Sequence, residues 1–211
     1  MEKVKNVVDF YVLCNKLKDV VRTGWQDWKV TRFRVESIAE HIYGTQMLAL
    51  AIWSEFKYDL DIKKVILMLA IHELEETVIG DLTEFQIDGA KKEELGHQAV
   101  KKILNNLNFG YDIEKLILEF DDKATPEAKF AFWCDKLECN VQAKIYDEEN
   151  CVDLNDQTDN KTAQNENVKK MLDKGYSWSQ TWIDYGKNRA CFDENFTAIN
   201  DYVRNNTIKN K

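Results

Sequence analysis

The sequence predicts an all-α fold, a single-domain helical bundle, on three grounds. The chain has 211 residues, the length of one ordinary globular domain. It contains one proline and eight glycines, too few for the many tight turns of an all-β protein. Apolar residues recur at helical spacing, and no segment shows the sustained alternation of a strand. We therefore expect residues 1–211 to form one helical domain.

Three helices are predicted in the first part of the chain. The first covers residues 4–17, where apolar side chains recur at helical spacing. The second covers residues 37–56, and its first residue is the serine of a capping box with Glu40. The third runs from an aspartate cap to a glycine stop, residues 61–80. Because residues 65–71 are apolar on every side, this helix is expected to be buried all round at the centre of the fold.

The later helices are predicted from their caps and periodicity. Helices are expected over residues 91–107 and 112–120. A further helix is expected over residues 125–149, because this segment begins with Thr-Pro-Glu, a strong helix start. The polar segment 153–167 is interpreted as a long surface loop. Helical pattern then resumes at residues 168–172 and 178–202, and the aromatic residues of this tail are Trp178, Trp182, Tyr185, Phe192 and Phe196.

Charge and composition exclude several classes of protein. Lys and Arg number 29 against 37 Asp and Glu, a net charge of −8 that opposes binding to a nucleic acid polymer. No stretch approaches the roughly 20 apolar residues of a membrane span, and the first residues do not resemble a signal peptide. The cysteine count is odd and no CxxC occurs, which indicates reduced thiols and a cytoplasmic protein. The cysteines are Cys14, Cys134, Cys139, Cys151 and Cys191.

Polar residues interrupt apolar helices at three places. They are His41, the pair His72-Glu73, and Asp135 in an aromatic setting. A buried carboxylate is costly unless it is paired or coordinated, and two imidazoles with two carboxylates would suit a divalent cation. Each residue also has a simpler interpretation, because a single buried His is more often a hydrogen-bonded core residue, and Asp135 could pair with a neighbouring cation. The zinc-protease pattern HExxH fails, since Glu76 stands where the second His is needed.

Four segments together resemble the HD-domain metal-dependent phosphohydrolases, most closely the 5′-deoxynucleotidase-like branch. The segments are RTGW (22–25), ESIAEH (36–41), HELEETVIGDLTEF (72–85) and FWCDKLECNVQA (132–143). The similarity covers about residues 15–154 with order and spacing preserved. The resemblance implies an all-α bundle of the HD-domain type, with a helical extension over about 165–205.

The resemblance implies a metal site. His41, His72 and Asp135 match three metal ligands of the family. The fourth ligand, an Asp in the family, is here Glu73, which keeps the charge and adds a methylene. The implied cofactor is one divalent cation: Co²⁺, Mn²⁺, Mg²⁺ or Zn²⁺.

The resemblance also implies roles beyond the metal. Glu76 and Asp81 match acidic residues that act in proton transfer and water activation, and Arg22 matches a contact to the substrate phosphate. Arg34 lies in the matching loop, where a surface salt bridge is an equal alternative. Trp25 or Trp28 is a candidate to stack on a base, and plain packing is the equal alternative for both.

We therefore expect a metal-dependent phosphohydrolase that removes the 5′-phosphate from (deoxy)nucleoside monophosphates by attack of a metal-activated water. One alternative is an HD phosphohydrolase for another nucleotide, a triphosphate or a signalling nucleotide. A second is a helical module that binds metal or nucleotide without turnover. The expected partner is a small nucleotide, with no membrane, and the aromatic tail is expected either to pack on the core or to form a homodimer.

Overall fold

A computed structural model describes residues 1–83, 86–186 and 192–209. In these ranges there are helices and turns but no β-strand, so the all-α prediction is confirmed. None of the described helices combines the length and apolar character needed to span a bilayer. The helices are α1 (Glu2–Asn15), α2 (Thr23–Asp27), α3 (Ile38–Phe56), α4 (Ile62–Ile71), α5 (Glu76–Ile79), α6 (Gly89–Leu104), α7 (Gly110–Asp121), α8 (Pro126–Glu148), α9 (Glu166–Asp173), α10 (Trp178–Gly186) and α11 (Glu194–Asn205).

The chain divides into two compact units. The first comprises residues 1–23 and 36–132, and the second residues 24–35 and 133–211. Helices α2 and α8 each contribute residues to both. Parts of two sequence expectations lie outside the described residues: positions 84–85 of the segment HELEETVIGDLTEF, and tail positions 187–191 with Cys191. The expected core boundaries, 15–154, and the extension, 165–205, stay predictions.

The first unit is held together by a small apolar core between its helices. α3 packs on α4, α4 on α7, and α6 on both α5 and α7. Leu74, Val100, Leu104 and Ile117 are all buried there. Phe10 of α1 packs against this cluster, so α1 covers the core with one face.

The start of α3 forms as its sequence predicts. The Ser37 side chain accepts a hydrogen bond from the Glu40 amide, and the Ser37 amide donates to Glu40 Oε2 at 2.9 Å. This capping box satisfies amides that the first turn of a helix otherwise leaves without partners. The first turn is thereby fixed, and His41 follows it as a fully buried residue.

The prediction of one continuous third helix is wrong. α4 begins after the cap Asp61 as expected, but it ends at Ile71, and α5 begins only at Glu76. Residues 72–75 instead form turns with bonds between residues three apart, such as the Glu76 amide to the Glu73 carbonyl at 3.2 Å. Such tighter turns change the direction of successive side chains relative to a regular helix.

The expected all-round burial of residues 65–71 is also wrong. Val65, Met68 and Leu69 are buried, whereas Leu67 is 47% exposed. α4 is therefore an amphipathic helix with one face on the core. An apolar sequence run does not by itself show how many faces neighbouring elements cover.

The second unit has an aromatic core. Trp25, Trp28, Tyr146 and Trp178 are buried together, and the Trp182 ring stacks on Trp25 with centroids 4.7 Å apart. The tail aromatics of α10 thus pack within this unit, which confirms the packing alternative for them. The homodimer stays a prediction.

The segment 153–167 is not the simple surface loop that its polarity suggested. Gln157 and Asn160 are buried, and the Asn160 amide donates to Gln157 Oε1 at 2.8 Å. The Gln157 amide donates in turn to the Trp28 carbonyl oxygen at 3.1 Å. Because these amide side chains form hydrogen bonds with each other and with the backbone, polar residues of this segment can be buried.

Substitution of Gly110 by alanine is expected to destabilise the first unit. A Cβ at Gly110 would lie 2.1 Å from the backbone oxygen of Leu104, which only a shift of the main chain can relieve. We expect a loss of about 1–3 kcal/mol or more in the free energy of unfolding, measured by urea denaturation. Gly89→Ala is the matched control, because Gly89 also begins a helix and a Cβ there meets nothing within 4 Å. Equal stability of both variants would contradict this account.

Candidate metal centre

Three predicted metal ligands converge within the first unit. His41 comes from α3, whereas His72 directly follows the last residue of α4 and Glu73 comes next in the same turn. One ligand atom from each lies within 4.8 Å of the others. His41 is 0% and His72 5% exposed, so both imidazoles are withdrawn from solvent. A cluster of two buried imidazoles and a carboxylate is a candidate site for a divalent cation.

The hydrogen bonding of His72 prepares one of its nitrogens for a metal. Its Nδ1 lies 2.9 Å from the Leu69 carbonyl oxygen, which can only accept, so Nδ1 carries the proton. The lone pair of the neutral ring is then on Nε2, 3.6 Å from Glu73 Oε1. His41 Nε2 lies 3.9 Å from the same oxygen. The donor atoms therefore face one another at distances longer than hydrogen bonds, as fits a cation among them.

Glu73 stands where the resembling family has an aspartate, and the turn between α4 and α5 accommodates its longer side chain. Adjacent residues of a regular helix point about 100° apart. In the observed turn the longer Glu73 side chain brings its oxygen to both imidazoles. The extra methylene thus leaves the carboxylate in reach of the predicted ligands.

Arg22 joins this cluster through Glu73. Its Nη1 lies 3.5 Å from Glu73 Oε1, and the two side chains are 17% and 16% exposed. The Arg22 amide donates to the Glu36 carbonyl oxygen at 3.1 Å, which anchors the loop just before α3. A guanidinium beside a candidate metal centre can bind phosphate oxygens in a bidentate manner.

Asp81 is hydrogen-bonded to Thr23, the residue that follows Arg22. The Thr23 amide donates to Asp81 Oδ2 at 2.7 Å, and the Thr23 hydroxyl donates to the Asp81 carbonyl oxygen at 2.6 Å. Gly80 precedes Asp81 with φ 74° and ψ 170°, a conformation that is nearly restricted to glycine. The turn at Gly80 thus places the segment after α5 against the loop that contains Arg22.

Glu76 is a buried carboxylate beside the cluster. It is 3% exposed, and its Oε2 has no hydrogen-bond partner among the described residues. Burial raises the pKa of Glu76, and the negative charges of Glu73 and Asp81 raise it further. The charges of Lys92 and Arg22 act in the opposite direction. The raised pKa favours the protonated carboxyl, so Glu76 can hold a proton next to the candidate metal site, and the positive charge of a bound cation would oppose this shift.

Lys92 is a residue of this site that the sequence analysis missed. Its Nζ lies 3.3 Å from Glu76 Oε1 and donates to the Leu82 carbonyl oxygen at 2.9 Å. Lys92 stands in KKEELGHQAVKK, a charged run typical of a solvated helix face, so no local signal indicates a role. In the same run His97 Nε2 lies 2.9 Å from Asp121 Oδ2.

The other predicted site residues lie in the second unit. Asp135 is 3% exposed, and Lys136 Nζ contacts its Oδ2 at 2.8 Å, the pairing that the simpler interpretation named. Trp25 is 1% exposed with its ring against other tryptophans, so the structure favours packing over base stacking. Arg34 is exposed. The roles of Asp135 and Arg34 stay predictions.

Sequence comparison relates the chain to named proteins. The model of the HD domain family matches residues 14–175. The chain is 31% identical over 154 residues to 5′-deoxynucleotidase HDDC2 of Dictyostelium discoideum, covering 69% of this chain and 80% of that protein. It is 30% identical over 148 residues to 5′-deoxynucleotidase HDDC2 of Danio rerio, covering 68% and 70% of the two chains.

Structural comparison finds similar folds. The PH0347 protein from Pyrococcus horikoshii OT3 has a TM-score of 0.69 at 22% identity, covering 93% of this chain and 98% of that one, and this likeness concerns the fold alone. A predicted metal-dependent phosphohydrolase from Magnetospirillum magnetotacticum MS-1 has a TM-score of 0.56 at 25% identity. That match covers 69% of this chain and 74% of the other.

Proposed function

Because the chain belongs to the HD domain family, we propose that it is a metal-dependent phosphohydrolase that removes the 5′-phosphate from deoxynucleoside monophosphates. The relatives named 5′-deoxynucleotidases support this reaction and substrate class. The observation that carries the proposal is the convergence of His41, His72 and Glu73, with Arg22 on the same carboxylate. A site that binds a cation beside a guanidinium suits a phosphate monoester.

The metal would be held by His41, His72 and Glu73, with Asp135 proposed as the fourth ligand. Support for Asp135 is its burial as a carboxylate within the segment FWCDKLECNVQA, which resembles the family's third signature. Two imidazole donors favour Mn²⁺, Co²⁺ or Zn²⁺ over Mg²⁺, which prefers oxygen ligands. When bound, the cation would supply Lewis-acid chemistry at the phosphoryl group.

The chain's own residues would bind the substrate and move protons. Arg22 would hold the phosphate oxygens and offset the charge that develops on them. Glu76 would take the proton of the attacking water on Oε2, the buried oxygen that lacks a partner in the described chain. Asp81, oriented by the Thr23 amide, would relay to the leaving 5′-oxygen a proton taken up from bulk water, and Glu76 would release the proton of the attacking water to bulk water. The products are a nucleoside and inorganic phosphate.

Phosphate release from a panel of nucleotides tests this proposal. The purified chain is assayed with each deoxynucleoside and ribonucleoside monophosphate and with the nucleoside triphosphates, in separate reactions with Mn²⁺, Co²⁺, Zn²⁺ and Mg²⁺. We expect release from deoxynucleoside monophosphates. Diphosphate or triphosphate released from nucleoside triphosphates would indicate another HD phosphohydrolase, and nucleotide binding with no turnover under any metal would indicate a non-catalytic module.

Replacement of Glu73 by aspartate is expected to retain or raise activity. Aspartate keeps the charge and restores the ligand of the resembling family, so the affinity for the cation should stay within about tenfold. Glu73→Gln is the matched control, because it keeps the length of Glu73 and removes its charge. Metal titration by calorimetry and kcat/KM are measured for both. Inactive Glu73→Asp beside active Glu73→Gln would contradict the role of Glu73 as a charged ligand.

A further inference from the structure

Lys92 belongs to a chain of contacts that surrounds the turn at Gly80. From Glu73 the contacts lead to Arg22, then from its neighbour Thr23 to Asp81. Leu82 follows Asp81, and its carbonyl oxygen accepts a hydrogen bond from Lys92 Nζ, which also contacts Glu76. The ammonium is therefore the link that ties Glu76 to the segment after Gly80.

The position of Lys92 is itself fixed by the start of α6. Asp88 caps this helix by accepting from the amides of Ala90 and Lys91, and the Lys92 amide donates to the Asp88 carbonyl oxygen at 2.9 Å. The Lys92 side chain is 31% exposed, whereas that of Glu76 is 2% exposed. A buried carboxylate needs a paired cation and a fixed partner, and Lys92 supplies both.

Resting on the proposed function, we propose that Lys92 is the positioning residue that holds the Glu76 carboxylate in its catalytic orientation. Lys92 holds Oε1, so the other carboxylate oxygen of Glu76, the buried and unpartnered Oε2, is left to accept the proton of the attacking water. Lys92 contacts none of the predicted metal ligands in the first unit in any described ion pair or hydrogen bond. It acts through Glu76 and does not itself bind the phosphate.

The kinetic test compares Lys92→Met, Lys92→Arg and the matched control Lys91→Met, the exposed neighbour in the same helix turn. We expect Lys92→Met to lower kcat about 10–100-fold while KM changes less than about threefold, since general-base efficiency depends on orientation. Lys92→Arg should restore at least about a tenth of the wild-type kcat, because the charge is kept. Lys91→Met should match the wild type.

Calorimetric titration with Mn²⁺ provides a readout besides activity. The dissociation constant of Lys92→Met should stay within about threefold of the wild-type value, because Lys92 acts on Glu76 and not on the metal. Weakened Mn²⁺ binding would overturn the inference by assigning Lys92 to the metal centre. If Lys92→Met fails to fold, Lys92→Arg decides, and a loss of more than about a hundredfold in its kcat would overturn the proposal.

The remaining outcomes separate this inference from the proposed function. Wild-type turnover with kcat unchanged in Lys92→Met overturns the positioning role alone. A raised KM with kcat unchanged also overturns it, because Lys92 would then bind substrate. No turnover by the wild type on any monophosphate overturns the proposed function, and the positioning role with it.

Discussion

Replacement of His72 by alanine is expected to abolish binding of the divalent cation and to lower kcat/KM by about a thousandfold or more. His72 presents Nε2 toward Glu73 Oε1 because its Nδ1 is engaged by the Leu69 carbonyl oxygen. Alanine removes that donor and leaves a single imidazole, His41, beside the carboxylates, a weaker set of ligands for Mn²⁺, Co²⁺ or Zn²⁺. Elemental analysis after dialysis and steady-state kinetics measure the two effects.

His97→Ala is the control for this substitution. His97 is the third histidine of the chain, and it bonds to Asp121 in α7 rather than to a predicted ligand. We expect His97→Ala to retain the wild-type metal content and a kcat/KM within about threefold. Full metal content in His72→Ala, or an equal loss in His97→Ala, would refute the assignment of the metal centre.

Replacement of Arg22 by alanine is expected to lower kcat/KM by about 100–1000-fold, the scale of losing a charged contact to the transition state. The guanidinium would hold the phosphate, and its contact with Glu73 at 3.5 Å places it at the candidate metal centre. Lysine at this position should recover only part of the loss, because an ammonium cannot bind two oxygens in the planar bidentate manner. Steady-state kinetics on a deoxynucleoside monophosphate measures these effects.

The affinity for the cation distinguishes this role from a structural one. Arg22→Ala removes a positive charge beside Glu73, so Mn²⁺ binding should stay the same or tighten. Arg32→Ala is the control, since Arg32 is 42% exposed and pairs with Glu149 at 3.1 Å, a surface contact of little energetic weight. An Arg22→Ala enzyme with wild-type kcat/KM would exclude Arg22 from phosphate binding.

Helix starts were predictable from the sequence because their determinants are local. The capping box at Ser37 is present, and Asp61 accepts from the amides of Lys63 and Lys64. Thr125 likewise accepts from the Ala128 amide at 3.2 Å at the start of α8. Caps act over three or four residues, so the sequence contains all of the information that they need.

Features set by contacts between distant elements were not predictable. The break at residues 72–75 occurs in a segment that contains neither glycine nor proline, so no local signal in the sequence indicates it. Lys92 reaches Glu76 because α6 packs on α5, a contact that the sequence does not indicate. For Trp25 the sequence left packing and base stacking as equal alternatives, and only its neighbours in the aromatic core favour packing. The candidate ligands were predictable because a polar residue in an apolar helix is costly wherever the helix packs.

The central proposal is that His41, His72 and Glu73 hold one divalent cation, with Asp135 as the fourth ligand that the family resemblance implies. A crystal structure of the Mn²⁺-loaded protein, with anomalous scattering recorded at the manganese edge, tests it most directly. We predict a single strong anomalous peak about 2.0–2.3 Å from a ligand atom of each of the four residues. A peak elsewhere in the molecule, or one whose coordination leaves out the two histidines or Asp135, would contradict the account.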